Sequence, residues 1–150
     1  MTINLENTIA LVTGAAGGIG RAVCTTMTEA GAKVIATDIA DKPGGLAAEA
    51  YYKHDVTSQD DWQKIADQIE TDYGQLDALV NVAGLSIVVS IEETSLAEWR
   101  RVNSINVESI LLSFHTMLPL LKKSGETRKG GASVVNFSSI AGQRGAAFNA

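Results

Sequence analysis

An apolar run from Thr8 to Val12 leads directly into Thr13-Gly14-Ala15-Ala16-Gly17-Gly18-Ile19-Gly20, and a helical pattern starts within that segment. Strand, glycine turn and helix start, in this order, leave a chain few options. The turn needs residues without a β-carbon, and the helix offers free N–H groups and the positive end of its dipole at its first turn. Such a corner suits an anion, and a pyrophosphate above all, because the backbone can approach it closely. No Gly-Lys-Ser or Gly-Lys-Thr follows, which excludes the phosphate loop of ATP- and GTP-binding proteins.

The rest of the chain repeats the same alternation. Ile19 to Ala30 predicts a helix closed by Gly31, and Lys33 to Thr37 a second strand ending at Asp38. Pro43-Gly44-Gly45 marks a loop, with room for a short helix at Leu46 to Glu49. Tyr51 to His54 predicts a third strand. Thr57 or Ser58 caps a helix to Tyr73, with Asp60 and Asp61 in its first turn and Gly74 as its stop. Leu76 to Val82 predicts a fourth strand. Ser95, with Glu98 at the capping-box position, starts a long helix to Lys122, and Pro119 should bend or fray its last turn. Ser124 to Gly131 is polar and predicts a loop, and Ala132 to Phe137 a fifth strand. Strands that are short and apolar throughout, alternating with helices, predict an α/β fold with a parallel sheet covered on both faces.

Composition narrows the function classes. The 150 residues carry a net charge of −5, and no basic face for nucleic acid is evident. Lys122, Lys123, Arg128 and Lys129 are expected in a solvated loop. Cys24 is the one cysteine, so no internal disulfide and no thiolate metal cluster can form, and a packed thiol is expected. No metal site is expected. No continuous apolar run approaches the roughly 20 residues that cross a bilayer, and the start of the chain lacks the pattern of a secretory signal. The expectation is a cytoplasmic protein of one domain, with no membrane partner.

Several segments together resemble one family. Thr13-Gly14-x-x-x-Gly18-x-Gly20 is similar to the cofactor loop of short-chain dehydrogenases/reductases. Alone it leaves the subgroup open, since Gly14, Gly17 and Gly20 also fit the spacing of the extended subgroup. Asn81-Val82-Ala83-Gly84 resembles the Asn-Asn-Ala-Gly of the main subgroup, with Val82 in place of the second asparagine. Trp99 with Asn106, and Asn136-Phe137-Ser138-Ser139-Ile140-Ala141-Gly142, match further segments of that subgroup in the same order.

The resemblance implies a Rossmann-type doubly wound parallel sheet, truncated after its fifth strand, so that residues 1–150 form an incomplete dinucleotide-binding domain. It implies hydride transfer between NAD(P) and a CH–OH carbon. Cofactor contacts would come from Gly14, Ala16, Gly18, Ile19 and Gly20 in the loop. Asp38 and Ile39, Asp55 and Val56, and Asn81, Ala83 and Gly84 would supply the others. Asp38, eighteen residues after Gly20, would accept hydrogen bonds from the adenosine ribose and repel a 2′-phosphate, which favours NAD over NADP; as a plain turn residue it would cap the next loop. Asp55 would meet the adenine amine and Val56 its ring.

By the same resemblance Ser139 is the catalytic serine and Asn106 the helix asparagine that holds a water near the catalytic lysine. Ser139 as a simple turn hydroxyl, and Asn106 as an amide satisfied by backbone groups, remain the alternatives. The family's Tyr-x-x-x-Lys is not found, because Tyr51, Tyr52 and Tyr73 are followed four residues on by Asp55, Val56 and Asp77. Family spacing puts the tyrosine just past Ala150. Two classes therefore stand: an oxidoreductase represented by a fragment that is inactive alone, and a short non-catalytic protein that binds a dinucleotide or a partner chain. Leu85, Ser86, Ile140 and the stretch 143–148 are expected to face the substrate. Their apolar and small character suits a secondary alcohol or ketone, and residues 141–150 resemble enzymes acting on cyclic or steroid-like alcohols. A full-length family member would be a homo-oligomer, dimer or tetramer.

Overall fold

A computed structural model describes residues 3–144. Its strands are β1 (Ile9–Thr13), β2 (Lys33–Asp38), β3 (Ala50–Lys53), β4 (Ala78–Asn81) and β5 (Ser133–Asn136). They form one sheet in the order β3-β2-β1-β4-β5, and every neighbouring pair is parallel. The order reverses at β1, the point where an α/β sheet opens a crevice at the carboxyl ends of its strands. Ala10, Leu11 and Val12 are wholly buried, so β1 is covered on both faces, as its uninterrupted apolar sequence requires.

The helices divide between the faces. On one side α1 (Gly18–Glu29) packs Cys24 with Val12, Val34, Ala36 and Val80. On the other, α2 (Gln59–Tyr73) and α4 (Ser109–Thr127) bury Trp62, Ile65, Ile69, Met117, Leu120 and Leu121 against Leu11, Ile35 and Leu79. The fold is therefore the doubly wound sheet expected. Ser58 caps α2 by accepting from the Asp61 N–H at 3.2 Å, and Gly74 ends it at φ 77°. No helix forms at Leu46 to Glu49, where the chain runs as a loop into β3.

The long helical stretch departs from expectation. It starts with the Ser95–Glu98 capping box as α3 (Leu96–Asn103), widens into a π-turn over Ser104–Glu108, and continues as α4 through Pro119 to Thr127. The wide turn resets the phase, so the exposed apolar stripe runs through Val107, Leu111 and Leu118, while Val102, Ile110 and Phe114 are half-buried. By length and composition alone, Leu96–Thr127 could cross a membrane, contrary to the expectation from continuous apolar runs. Its inner face, however, packs on the sheet through Met117, Leu120 and Leu121.

The expected solvated loop at 124–131 is also corrected. Helix α4 takes in Lys122 and Lys123, and Arg128 is half-buried, its guanidinium donating to Thr8 Oγ1 at 2.7 Å and pairing with Asp77 at 3.2 Å. Buried Asp77 also accepts from the Ile9 N–H at 2.7 Å, Gln75 at 2.7 Å and the Ser124 hydroxyl at 2.6 Å. This knot ties β1, β4 and α4 together below the sheet and leaves the carboxyl ends of the strands free for a site.

Candidate functional site

The glycine corner is built by close backbone contacts. Gly14 adopts φ 65°, and a β-carbon there would lie 2.7 Å from the Ala83 backbone. A β-carbon on Gly20 would lie 2.1 Å from the Gly14 carbonyl oxygen. Both positions need glycine to bring α1 onto the turn and the turn onto β4. Gly18 differs: a β-carbon there meets nothing within 4 Å and would project into open space. Gly17 precedes α1 with no side-chain cap, so the first N–H groups of the helix have no side-chain acceptor.

Two side chains fix this corner to the sheet. The Thr13 hydroxyl accepts from the Val82 and Ala83 N–H groups at 3.1 and 3.2 Å, joining β1 to the loop after β4. Asp38 Oδ2 accepts from the Ala16 N–H at 2.9 Å and Oδ1 from the Ala40 N–H at 3.0 Å. Ala16 thus serves the loop through its backbone, and Asp38 is both turn residue and cavity wall. Arg21 donates to the Gly44 carbonyl at 3.1 Å, which turns its charge toward the β2–β3 loop.

A cavity of about 440 Å³ opens at the carboxyl ends of the strands. Gly14, Gly18, Ile19 and Gly20 line it from the glycine corner, Asp38 and Ile39 from the end of β2 and just past it, Asp55 and Val56 from the turn after β3, and Ala83 and Gly84 from the loop after β4. Asp55 Oδ1 accepts from the Thr57 N–H at 2.9 Å and its hydroxyl at 2.7 Å. Ile19 and Ile39 are strongly exposed, apolar surface that a bound group can cover. A diphosphate at the N–H groups of α1, with room at Gly18, fits this arrangement.

Asn81 sits elsewhere. It is buried and donates to Asn136 at 2.8 Å and Ser113 at 3.1 Å, holding β4, β5 and α4 together. Asn106 and Ser139 stand outside the cavity lining. The Asn106 carboxamide pairs with the backbone of Leu85, which is itself in the lining. Ser139 follows β5, and its exposed hydroxyl accepts from the Ala141 N–H at 3.1 Å. Of the expected substrate-facing stretch, 145–148 lies outside the described residues.

Leu85, expected to face the substrate, lines the cavity, and the structure adds wall residues given no site role from the sequence: Gly17, His54, Val82, Arg101 and Ile105. His54 is almost completely buried, its Nδ1 3.1 Å from the Thr37 hydroxyl and its ring edge-to-face with Trp62 at 4.3 Å. Burial pushes its pKa down to about 4, against the smaller opposing pull of Asp61 and Asp55. Trp62 donates in turn to the Val56 carbonyl at 2.8 Å, so this stack sets the turn that carries Asp55 and Val56. Cys24 lies away from the cavity, and burial pushes its thiol up to about 11, an unreactive packed residue.

Comparison with known proteins agrees with this geometry. A family model described as short chain dehydrogenase matches residues 8–150. The chain is 33% identical over 150 residues to the NADP-dependent (R)-specific alcohol dehydrogenase of Lentilactobacillus kefiri, covering 95% of this chain and 58% of that protein. It is 36% identical over 151 residues to a 3-alpha-(or 20-beta)-hydroxysteroid dehydrogenase of Mycobacterium tuberculosis, covering 97% of this chain and 56% of that one. The ligand-free structure of Thermoplasma acidophilum aldohexose dehydrogenase superposes with a TM-score of 0.83 at 34% identity, over 93% of this chain and 52% of that one. The chain thus spans little more than half the length of the curated relatives it matches.

Proposed function

The chain belongs to the short-chain dehydrogenase family, and from that premise we propose that it is the cofactor-binding part of an oxidoreductase that moves hydride between NAD and a secondary alcohol or ketone. The observation that carries this reading is the cavity itself. It gathers the glycine corner, Asp38, Asp55 and Gly84 around one opening, with free space at Gly18 where a diphosphate would lie. The bound nicotinamide would accept or supply the hydride.

The chain's own residues bind and orient. N–H groups at the start of α1 hold the diphosphate, Asp38 takes the adenosine ribose, and Asp55 with Val56 takes the adenine. The hydroxyl proton of Ser139 is free to be donated to the substrate oxygen, since in the structure that oxygen only accepts. Asn106 positions Leu85 and hence the wall beside Gly84. Proton exchange needs an acid–base group, and no Tyr-x-x-x-Lys is present to supply it. Similarity to an alcohol and a hydroxysteroid dehydrogenase supports a neutral alcohol or ketone substrate.

The missing Tyr-x-x-x-Lys also keeps a second reading in place, a dinucleotide-binding or partner-binding protein without catalysis. Two measurements on residues 1–150 test both. Titration with NADH, followed by its fluorescence, is expected to show saturable binding; none would overturn the cofactor reading. Turnover of secondary alcohols, followed by NADH absorbance, is expected to be undetectable. Turnover that co-purifies with the chain and disappears in Ser139→Ala would overturn the dependence on a further segment. Sequencing past codon 150 separates the two classes: an in-frame Tyr-x-x-x-Lys supports the dehydrogenase, and a stop codon the binding protein.

A further inference from the structure

One wall of the cavity comes from α3 and the π-turn after it, which bring Arg101 and Ile105 to the lining. Ile105 packs on the cluster that contains Val56 and Trp62. Arg101 precedes it by four residues, at the end of α3, and lines the same cavity. The helix thus carries Arg101 to the opening that Val56 also lines.

Arg101 has a free charge. Its side chain is exposed, and among the described residues its guanidinium has no ion-pair or hydrogen-bond partner; only its carbonyl is engaged, by the Ser104 hydroxyl. Neither of the cavity's two carboxylates pairs with it: Asp38 accepts from the Ala16 and Ala40 N–H groups, and Asp55 Oδ1 from Thr57. A lone planar cation at the rim of a cavity that Val56 also lines can take a phosphate or the π-face of a base. Guanidinium groups stack on aromatic faces and lose less hydration there than an ammonium would.

The geometry points to Arg101 as a specificity residue for the adenine half of the dinucleotide, its guanidinium closing over the outer face of the base while Val56 packs against the inner one. This rests on the cofactor reading given above. The role differs from reading a phosphate, because a 2′-phosphate would lie beside Asp38 at the end of β2, whereas Arg101 rises from α3.

The test titrates the whole chain, and its Arg101→Met and Arg101→Lys variants, with AMP, NAD, NADP and nicotinamide mononucleotide by calorimetry. Met keeps the length of the side chain and loses the charged plane, and both variants should keep the wild-type melting midpoint because the residue is exposed. Arg101→Met is expected to weaken AMP, NAD and NADP alike, each roughly three- to ten-fold. Lys should recover only part of that loss, and nicotinamide mononucleotide should bind unchanged. Equal NAD affinity in wild type and Arg101→Met would overturn the inference while leaving the cofactor reading intact. A loss confined to NADP would overturn it in favour of a phosphate contact. Wild-type protein that binds none of the four ligands would overturn the cofactor reading itself, and this inference with it.

Discussion

Asn106 and Leu85 are joined by two opposed hydrogen bonds: the Asn106 carboxamide oxygen accepts from the Leu85 N–H at 2.8 Å, and its nitrogen donates to the Leu85 carbonyl at 2.8 Å. The π-turn aims that side chain across the gap between helix and β4 loop, and a β-carbon on Gly84 would lie 3.5 Å from the same oxygen. Asn106→Asp keeps the acceptor and loses the donor, and Asn106→Leu loses both. Each hydrogen bond contributes about 1 kcal/mol net, so the expected losses are about 1 and 2 kcal/mol. Urea midpoints at constant slope would measure them. Because Leu85 lines the cavity, NADH binding should weaken in the same order.

Gly18 and Gly20 should respond oppositely to one added methyl. In Gly20→Ala the new β-carbon meets the Gly14 carbonyl oxygen at 2.1 Å, so the helix must move off its turn at a cost of about 1–3 kcal/mol or more. In Gly18→Ala it meets nothing, and alanine is the better helix former by about 1 kcal/mol. That variant should melt at or above the wild-type temperature yet bind NADH about tenfold more weakly, a loss near 1.4 kcal/mol, because the methyl occupies the diphosphate's space. Unchanged affinity in Gly18→Ala would place the diphosphate elsewhere.

The alternation of strands and helices was legible because the central strands β1, β2 and β4 are short, apolar and largely buried, and α1 and α2 carry their own stops at Gly31 and Gly74. The π-turn was not. No residue in Ser104–Glu108 announces it. Arg128 was misjudged for a related reason. A basic residue among Gly and Lys looks solvated until Asp77, far off in sequence, supplies its partner. Among site residues, the family resemblance pointed to the glycine corner and the strand ends, most of which line the cavity, while Ala16 and Asn81 do not. His54 and Arg101 could not be found that way, since one is a buried histidine whose partners are Thr37 and Trp62, and the other an ordinary surface arginine until the helix brings it to the cavity.

His54 makes stability depend on pH. Its pKa is about 4 in the folded chain and about 6.5 when unfolded. The unfolded state therefore takes up the proton first. Stability from this residue is complete above pH 6.5, falls as the pH drops toward 4, and is flat below. About 2.5 units at 1.36 kcal/mol each give a loss of about 3 kcal/mol over that window. Urea midpoints between pH 7.5 and 4.5 should follow this fall, and His54→Phe should remove most of the slope. The same slope in His54→Phe would assign the dependence to carboxylates instead.

Asp38 should set the choice of nicotinamide. Its carboxylate lies on the Ala16 N–H at the cavity wall, where a 2′-phosphate would meet like charge. A clash of this kind is worth on the order of a few kcal/mol, so NAD is expected to bind far better than NADP. The related NADP-dependent alcohol dehydrogenase makes the measurement decisive rather than routine. Asp38→Ala and Asp38→Asn should both narrow the ratio of the two dissociation constants, because each removes the charge, and Asn can still accept from Ala16. Preference for NADP in the unaltered chain would refute the expectation, and an unchanged ratio in Asp38→Ala would refute its cause.

β5 predicts how the 150-residue chain behaves in solution. It is the last strand of the sheet on its side, so one row of its N–H and C=O groups has no strand partner among the described residues. Val135 and Phe137 are about half exposed, at 49% and 46%. Beside them a second hollow of about 370 Å³, lined by Leu5, Val23, Met27 and Val80, leaves apolar surface between α1 and β5 uncovered. An open strand edge next to such a surface templates pairing with other chains. The stripe Val107, Leu111 and Leu118 adds a separate apolar face on α4. The isolated chain should therefore be associated at micromolar concentration, with light scattering well above the monomer value. Val135→Lys places a charge on the edge strand without touching the cavity that contains Asp38, and is expected to shift the population toward monomer with NADH binding retained. A wild-type chain that is monomeric and unfolds in one sharp urea transition would show that five strands suffice, and would favour the stand-alone binding protein over the dehydrogenase fragment.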